Sequence, residues 1–167
     1  MKTIPVLLSL ALLAGCQSYT WTSHVPKDMR TVSVPTFRNE TEVVELGAIT
    51  TRQILREFQR EGTFKIASAD DAVVEIQGVL KSTPTHLLTY KRGQSLRAYE
   101  QRLQLNAEVS LVDKRSGKVL IDNRHDQAET TFMSVDDSVT ARRDASGRLA
   151  EDIARQIVDD VVGSKWE

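Results

Sequence analysis

Between residues 86 and 102 the sequence gathers His86, Lys91, Arg92 and Arg97, with Arg102 a little further on. These are residue types that grip anions: arginine offers a planar fork matched to phosphate oxygens, and lysine a mobile point charge. Beside the apolar pair Leu87-Leu88, such a loop could meet an amphiphile with an anionic head; the same composition also suits a plain solvated loop. Lys114, Arg115 and Lys118 make a second basic candidate. Covalent and metal chemistry find less support. The chain has no GxSxG, P-loop, dinucleotide fingerprint or HExxH. His24, His86 and His125 stand far apart with no second ligand at metal spacing, so no metal and no cofactor are inferred. The adjacent carboxylates Asp70-Asp71 and Asp136-Asp137 point apart in most conformations and suit helix starts and turns better than an acid/base pair. The expectation is a protein that is not an enzyme.

Cys16 is the only cysteine. It follows Leu13, Ala14 and Gly15, which close an apolar run from Ile4 behind the single basic residue Lys2, the layout of a secretory segment with a small-residue cleavage site. The run is too short to span a bilayer. It resembles a bacterial lipoprotein signal with its lipobox, which implies removal of residues 1–15, acylation of Cys16 as the lipidation site, and a mature protein held to a membrane by lipid. Residues 16–30 are polar, rich in Ser and Thr, and broken by Pro26, and are expected to form a tether. Tyr19 and Trp21 lie in it, either at headgroup level or as incidental exposed aromatics. With Lys2 removed, 22 − 1 = 21 basic residues face 23 acidic ones, a formal charge of −2. That balance gives no overall pull toward nucleic acid, so any binding to polyanions is local. A lipidated Cys16 leaves no thiol for a disulfide, and packing alone must stabilise the fold.

The elements that must position these residues follow from periodicity. Thr31–Val34 is a β-branched run stopped by Pro35. Over 43–58, Leu46, Ile49, Ile54, Leu55 and Phe58 recur at helical intervals, with Gly62 where a C-cap belongs, and Phe64–Ile66 returns to extended structure. Val74, Ile76, Gly78 and Leu80 alternate with polar residues. So do Tyr99, Gln101, Leu103, Leu105, Ala107, Val109 and Leu111, as a long strand with one face in water requires. Ser116-Gly117 marks a hairpin turn, and 119 to about 132 is the return strand. Leu149, Ile153, Ile157 and Val161, flanked by Ala150, Ala154, Val158 and Val162, form the stripe of a C-terminal helix beginning after Val135. The expected fold is α+β, a two-layer sandwich with two helices on one face of a four-stranded, mainly antiparallel sheet, in the order βαβββα, forming one domain over 31–167.

The lipobox, "TVSVPTFRNET" at 31–41, "ILREFQREGTFKI" at 54–66, "DAVVEIQGVLKS" at 71–82 and "RLQLNAEVSLVDKRSGKVL" at 102–120 occur in the order and spacing of the lipopolysaccharide-assembly lipoproteins, the LptE family, which this chain resembles over nearly its whole mature length. The resemblance implies an outer-membrane lipoprotein on the periplasmic face, a subunit of the translocon that inserts lipopolysaccharide into the outer leaflet. Its partners would be a β-barrel assembly protein, which it plugs, lipopolysaccharide, and the membrane through the lipid anchor, with no nucleic acid. It also implies a lipopolysaccharide-binding role for Lys91 and Arg92, assisted by Arg97. Gln17, which follows the cysteine, is not the aspartate that commonly retains lipoproteins in the inner membrane. Alternatives are a CsgG-like or TolB-like periplasmic secretion or scaffold lipoprotein, or an envelope enzyme.

Overall fold

Alternation builds the sheet. In strand β6 (Tyr99–Asp113), Leu103, Leu105, Ala107, Val109 and Leu111 are buried while Gln104, Asn106, Glu108 and Ser110 between them stay accessible. The strand therefore has a dry inner face and a wet outer one. The computed structural model, which describes residues 24–90, 99–134 and 138–166, arranges six further strands around it. These are β1 (Thr31–Ser33), β2 (Arg38–Asn39), β3 (Lys65–Ile66), β4 (Val74–Ser82), β5 (Thr85–Tyr90) and β7 (Val119–Ser134). The helices are α1 (Leu46–Glu61) and α2 (Ser138–Gly163).

Pairing links β3, β1, β4, β6 and β5 in turn, with β2 also on β4 and β7 also on β6. Strands β4 and β5 both run antiparallel along one edge of β6, broken at Thr83-Pro84, where Gln104 N–H donates to the Pro84 carbonyl at 3.0 Å. Proline has no N–H for the ladder, so the break falls there. Strand β7 takes the other edge of β6. Strands β1 and β2 lie in sequence along the far edge of β4, parallel to it, and β3 is parallel to β1. Helix α1 supplies the crossover that parallel pairing demands.

The α+β fold with two helices matches the sequence reading, but the sheet has seven strands and is mixed rather than four-stranded and mainly antiparallel. Parallel pairing joins segments distant in sequence and leaves no local signature. Strand β5 lies within what reads as a loop because Leu87 and Leu88 are consecutive, and the ladder bulges there. The last residues of the expected tether are also packed: Val25 is buried, Lys27–Met29 form a 3-10 turn, and the Arg30 guanidinium donates to the Val25 carbonyl at 3.0 and 3.1 Å.

Both helices lie on the inner face. Helix α1 buries Leu46, Thr50, Thr51, Ile54 and Phe58. It ends at Gly62, whose φ of 83° is the left-handed cap that favours glycine, with its N–H donating to the Phe58 carbonyl at 3.0 Å. Thr51 ties the helix to the strands, accepting from Phe37 N–H at 3.0 Å and donating to the Gly47 carbonyl at 2.9 Å. Helix α2 buries Ala145, Leu149, Ala150, Ile153, Ala154, Ile157, Val158 and Val161. The buried apolar side chains form one cluster from Val25 to Val161. On β7, an extra residue near Asn123 (φ 39°) shifts register between Ile121 opposite Leu111 and Arg124 opposite Val109. The shift turns Arg124 and Asp126 to the inner side. There Asp126 is buried, and Arg124 pairs with it at 2.9 Å and with Asp160 of α2 at 3.1 Å, so the buried carboxylate is satisfied.

Candidate functional site

Strand β5, the start of β6 and the end of β7 form one end of the sheet, here called the distal end. Pairing sets rows across it: Leu87, Gln101 and Phe132 on the inner face, and His86, Arg102 and Thr131 on the outer. The inner row runs past the helices into a groove of about 490 Å³. Its floor is Gln101 and Phe132, its walls Val139, Arg142, Arg143 and Ser146 from the first turns of α2, and Glu42 and Val43 from the segment leading into α1. Arg142 and Arg143 meet Glu42 and Glu45 at 3.3 and 3.4 Å, closing the rim with exposed ion pairs. The Nε of Arg142 is buried and has no hydrogen-bond partner among the described residues. Large apolar side chains collect at this end without cover: Leu87 is 60 % exposed, Val139 77 % and Val44 89 %.

Of the residues singled out from sequence, Cys16, Lys91, Arg92 and Arg97 lie outside the described residues, as do Tyr19, Trp21, Asp136 and Asp137. Tyr90 and Tyr99, which flank residues 91–98, are paired across the distal end of β5 and β6. The connection carrying the three cations is therefore rooted there. Arg102 pairs with Glu129 at 3.5 Å, and His86 is exposed beside it in the same row.

The second basic candidate sits at the opposite, proximal end, and its charges are used within the fold. Lys114 Nζ donates to the Ala69 carbonyl and lies 3.6 Å from Glu75. Arg115 pairs with Asp28 at 3.0 Å and lies 3.8 Å from Asp113. The Arg115 hydrogen bond holds the Asp28 carboxyl below the usual carboxylate range. Asp113 is also lowered, first by the Ser116 hydroxyl at 2.7 Å and then by the Arg115 N–H. These contacts join the β6–β7 hairpin to the segment where the described chain begins.

Among the described residues no helix lies on the outer face. Glu40, Lys81, Glu108 and His125 cross it from the end of β2 through β4 and β6 to β7: Lys81 lies 3.0 Å from Glu40 and 3.6 Å from Glu108, and His125 3.8 Å from Glu108. The hydrogen bond with Lys81 lowers Glu40, and the same bond raises Lys81. Asn106 bridges Gln104 at 2.7 Å and Ser82 at 2.8 Å. Among the described residues no three His, Cys, Asp or Glu side chains come together as a metal site, and no helix is long and apolar enough to cross a membrane. Asp71 accepts from the Ser68 hydroxyl at 2.7 Å and serves a turn.

Sequence reasoning missed the groove and its residues Phe132, Val139, Arg142 and Arg143. The available signal was weak: Val139 and Val43 are apolar residues outside the two helical stripes, and nothing local says that they line one groove.

Residues 29–161 match the model of the family described as Lipopolysaccharide-assembly, LptE. No curated protein matches the chain. Among solved structures, a minor lipoprotein from Acinetobacter baumannii superposes with a TM-score of 0.53 at 13 % identity, covering 81 % of this chain and 94 % of that one. The hypothetical protein CT253 from Chlamydia trachomatis gives 0.52 at 14 % identity, covering 81 % and 97 %. At such identities the likeness is one of fold.

Proposed function

We propose, for a chain that belongs to the lipopolysaccharide-assembly family LptE, that it is anchored in the outer membrane through an acylated Cys16, plugs a β-barrel partner from the periplasmic side, and contacts the phosphorylated head of lipopolysaccharide through Lys91 and Arg92, assisted by Arg97. On this reading residues 1–15 are removed as a signal and the stretch from Cys16 to about His24 is the tether. The observation that carries the plug is the uncovered outer face. A sheet coated on one side by both helices and lined on the other by Glu40, Lys81, Asn106, Glu108 and His125 offers hydrogen-bonding groups along its length. A wide barrel has a polar lumen that such a face can meet without burying apolar surface.

The separation of the two ends supports the same reading. The described chain enters beside Arg115 at the proximal end, whereas residues 91–98 connect strands at the distal end. The 15 residues of β6 put the ends about 50 Å apart at about 3.4 Å per residue. A bilayer with its headgroups is about 40–45 Å thick. An anchor in one leaflet and a basic connection reaching the other are thus compatible with one rigid ribbon. Acyl chains contribute about 0.8 kcal/mol per buried methylene, so a multiply acylated anchor is effectively permanent.

The test begins with affinity purification from outer membrane, where the expected result is a large barrel protein in stable complex and, by mass spectrometry, an acylated mature N-terminus at Cys16. The double variant Lys91→Glu/Arg92→Glu is then measured for both properties. It should keep the barrel and the fold, and lose lipopolysaccharide binding more at low salt than at high, because exposed charges are screened over about 8 Å near physiological ionic strength. Wild-type lipopolysaccharide binding by that variant at low salt would place the head contact elsewhere.

A further inference from the structure

The two layers of this sandwich differ in length. Helix α1, with 16 residues at about 1.5 Å each, covers about 24 Å, roughly half of the ribbon defined by β6. The inner face therefore continues beyond α1 as the row Leu87, Gln101 and Phe132, roofed only by the first turns of α2. The core thins out along this row: Phe132 is still buried in it, but Leu87 at the edge and Val139 on the first turn of α2 are exposed, while every inward residue of β6 from Leu103 to Leu111 is buried. Directly at the rim lies the buried Nε–H of Arg142, which has no acceptor among the described residues. A buried donor left unpaired is costly, and a carboxylate or phosphate oxygen would satisfy it together with the neighbouring Nη in the two-point geometry of an arginine fork. The salt link from Arg142 to Glu42 is exchangeable, since the Glu42 side chain is 85 % exposed.

The geometry points to a binding site in this groove for one acyl chain of an anionic lipid, the chain lying on Val43, Phe132 and Val139 and running on over Leu87, the neighbour of the floor residue Gln101 just outside the groove, with the adjoining phosphate accepting from Arg142. The groove's volume falls in the range of small-molecule sites, whereas a protein partner needs about 800 Å² per side and would not be specified by one unpaired nitrogen. The assignment rests on the reading that the ligand is a phosphorylated, acylated lipid. It adds a place for the acyl part, separate from the cations proposed for the head.

The probes are purified lipopolysaccharide, the same material fully deacylated, and dihexanoyl phosphatidylglycerol, with binding to the acylated full-length protein measured at one low salt concentration. Leu87→Asn/Val139→Asn changes only side chains that are already exposed, so the fold is retained. Burying two aliphatic side chains against a ligand should make this variant bind lipopolysaccharide at least about 10-fold more weakly, with the deacylated form unaffected. Arg142→Lys keeps the charge but removes the fork, and should weaken lipopolysaccharide binding several-fold. Glu42→Gln should strengthen it by freeing the guanidinium, which a purely structural Arg142–Glu42 pair would not do. Phosphatidylglycerol competing with lipopolysaccharide for the groove would support the site and identify membrane phospholipid as an occupant. Lipopolysaccharide binding by Leu87→Asn/Val139→Asn equal to wild type overturns the groove and, if Lys91→Glu/Arg92→Glu still loses binding, leaves the head contact standing. Loss of binding in the groove variant alone keeps the groove and overturns the head contact. Loss of the barrel complex with lipid binding intact would make the groove a protein interface and overturn the proposal.

Discussion

The two ends of the sheet carry similar residue types and use them differently. At the proximal end the cations of the β6–β7 turn have partners within the fold: Lys114 with Glu75 and the Ala69 carbonyl, and Arg115 with Asp28 and Asp113. The aromatic rings of Phe58, Phe64 and Trp166 close the core behind them, with neighbouring centroids 5.5 Å apart. At the distal end helix α1 runs out before the sheet does, aliphatic side chains stand in water, and a buried guanidinium nitrogen has no acceptor among the described residues. The proximal end is closed by its own chain, whereas the distal end leaves Leu87 and Val139 exposed. Charge alone does not separate the two ends, since Arg102, Arg142 and Arg143 at the distal one are also paired, with Glu129, Glu42 and Glu45; the exposed apolar surface does.

The sharpest way to break that contrast is one substitution made twice along α2. Ile153 is fully buried and Val139 is 77 % exposed, on the same helix. Ile153→Asp places an unpaired carboxylate in the core and should cost several kcal/mol, comparable to the stability of a whole domain of about 5–15 kcal/mol. Val139→Asp should stay within about 0.5 kcal/mol, as surface substitutions do. Thermal or denaturant unfolding of the two variants checks both, and equal melting temperatures would show that the helix is not divided into a structural and a free half.

A second test addresses the middle of the ribbon. Phe37 lies across Gly78 of β4 so closely that a Cβ there would meet ring carbons at 2.0 to 2.4 Å. Gly78→Ala should therefore displace the ring and destabilise by about 1–3 kcal/mol, the usual range for overpacking. Phe37→Leu in the same background should recover part of the loss, which chemical denaturation of the single and double variants measures.

How far the sequence foretold this molecule depends on whether a feature is local. The alternation of Leu103 to Leu111, the stripe of Leu149 to Val161 and the cap at Gly62 are written in consecutive residues, and the corresponding elements are found. Strands β2 and β5 escape notice because two residues, Arg38 and Asn39, make no period, and because the bulge at Leu87 to Thr89 destroys the alternation that would have revealed β5. The parallel pairing of Val32 with Val74 and Ile66 joins residues more than thirty positions apart and is set by the crossover through α1, not by any dipeptide. The groove escaped for the same reason. Val43, Phe132 and Arg142 become neighbours only when the unequal lengths of helix and ribbon are known.

The smallest expected effect distinguishes charges spent on folding by their response to pH. In the folded protein Asp28 is lowered by its hydrogen bond with Arg115, Asp113 by the Ser116 hydroxyl, and Glu40 by Lys81. A carboxyl whose folded value lies below its unfolded one, about 4 for these residue types, adds stability that is complete above the unfolded value and is lost as pH falls through the folded one. Lys81 is shifted upward, chiefly by Glu40, so its contribution is complete below about 10.4 and disappears as pH rises through the folded value. Stability should thus be flat between about pH 5 and 10 and decline at both extremes, by modest amounts because Asp28, Glu40 and Lys81 are exposed to solvent and only Asp113 is largely covered. Arg115→Gln should shrink only the acid decline, by releasing Asp28. Lys81→Met should abolish the alkaline decline and shrink the acid one through Glu40. Melting temperatures of the two variants between pH 3 and 11 would read this directly, and an acid decline unchanged in Arg115→Gln would mean that the proximal pairs contribute nothing to the fold.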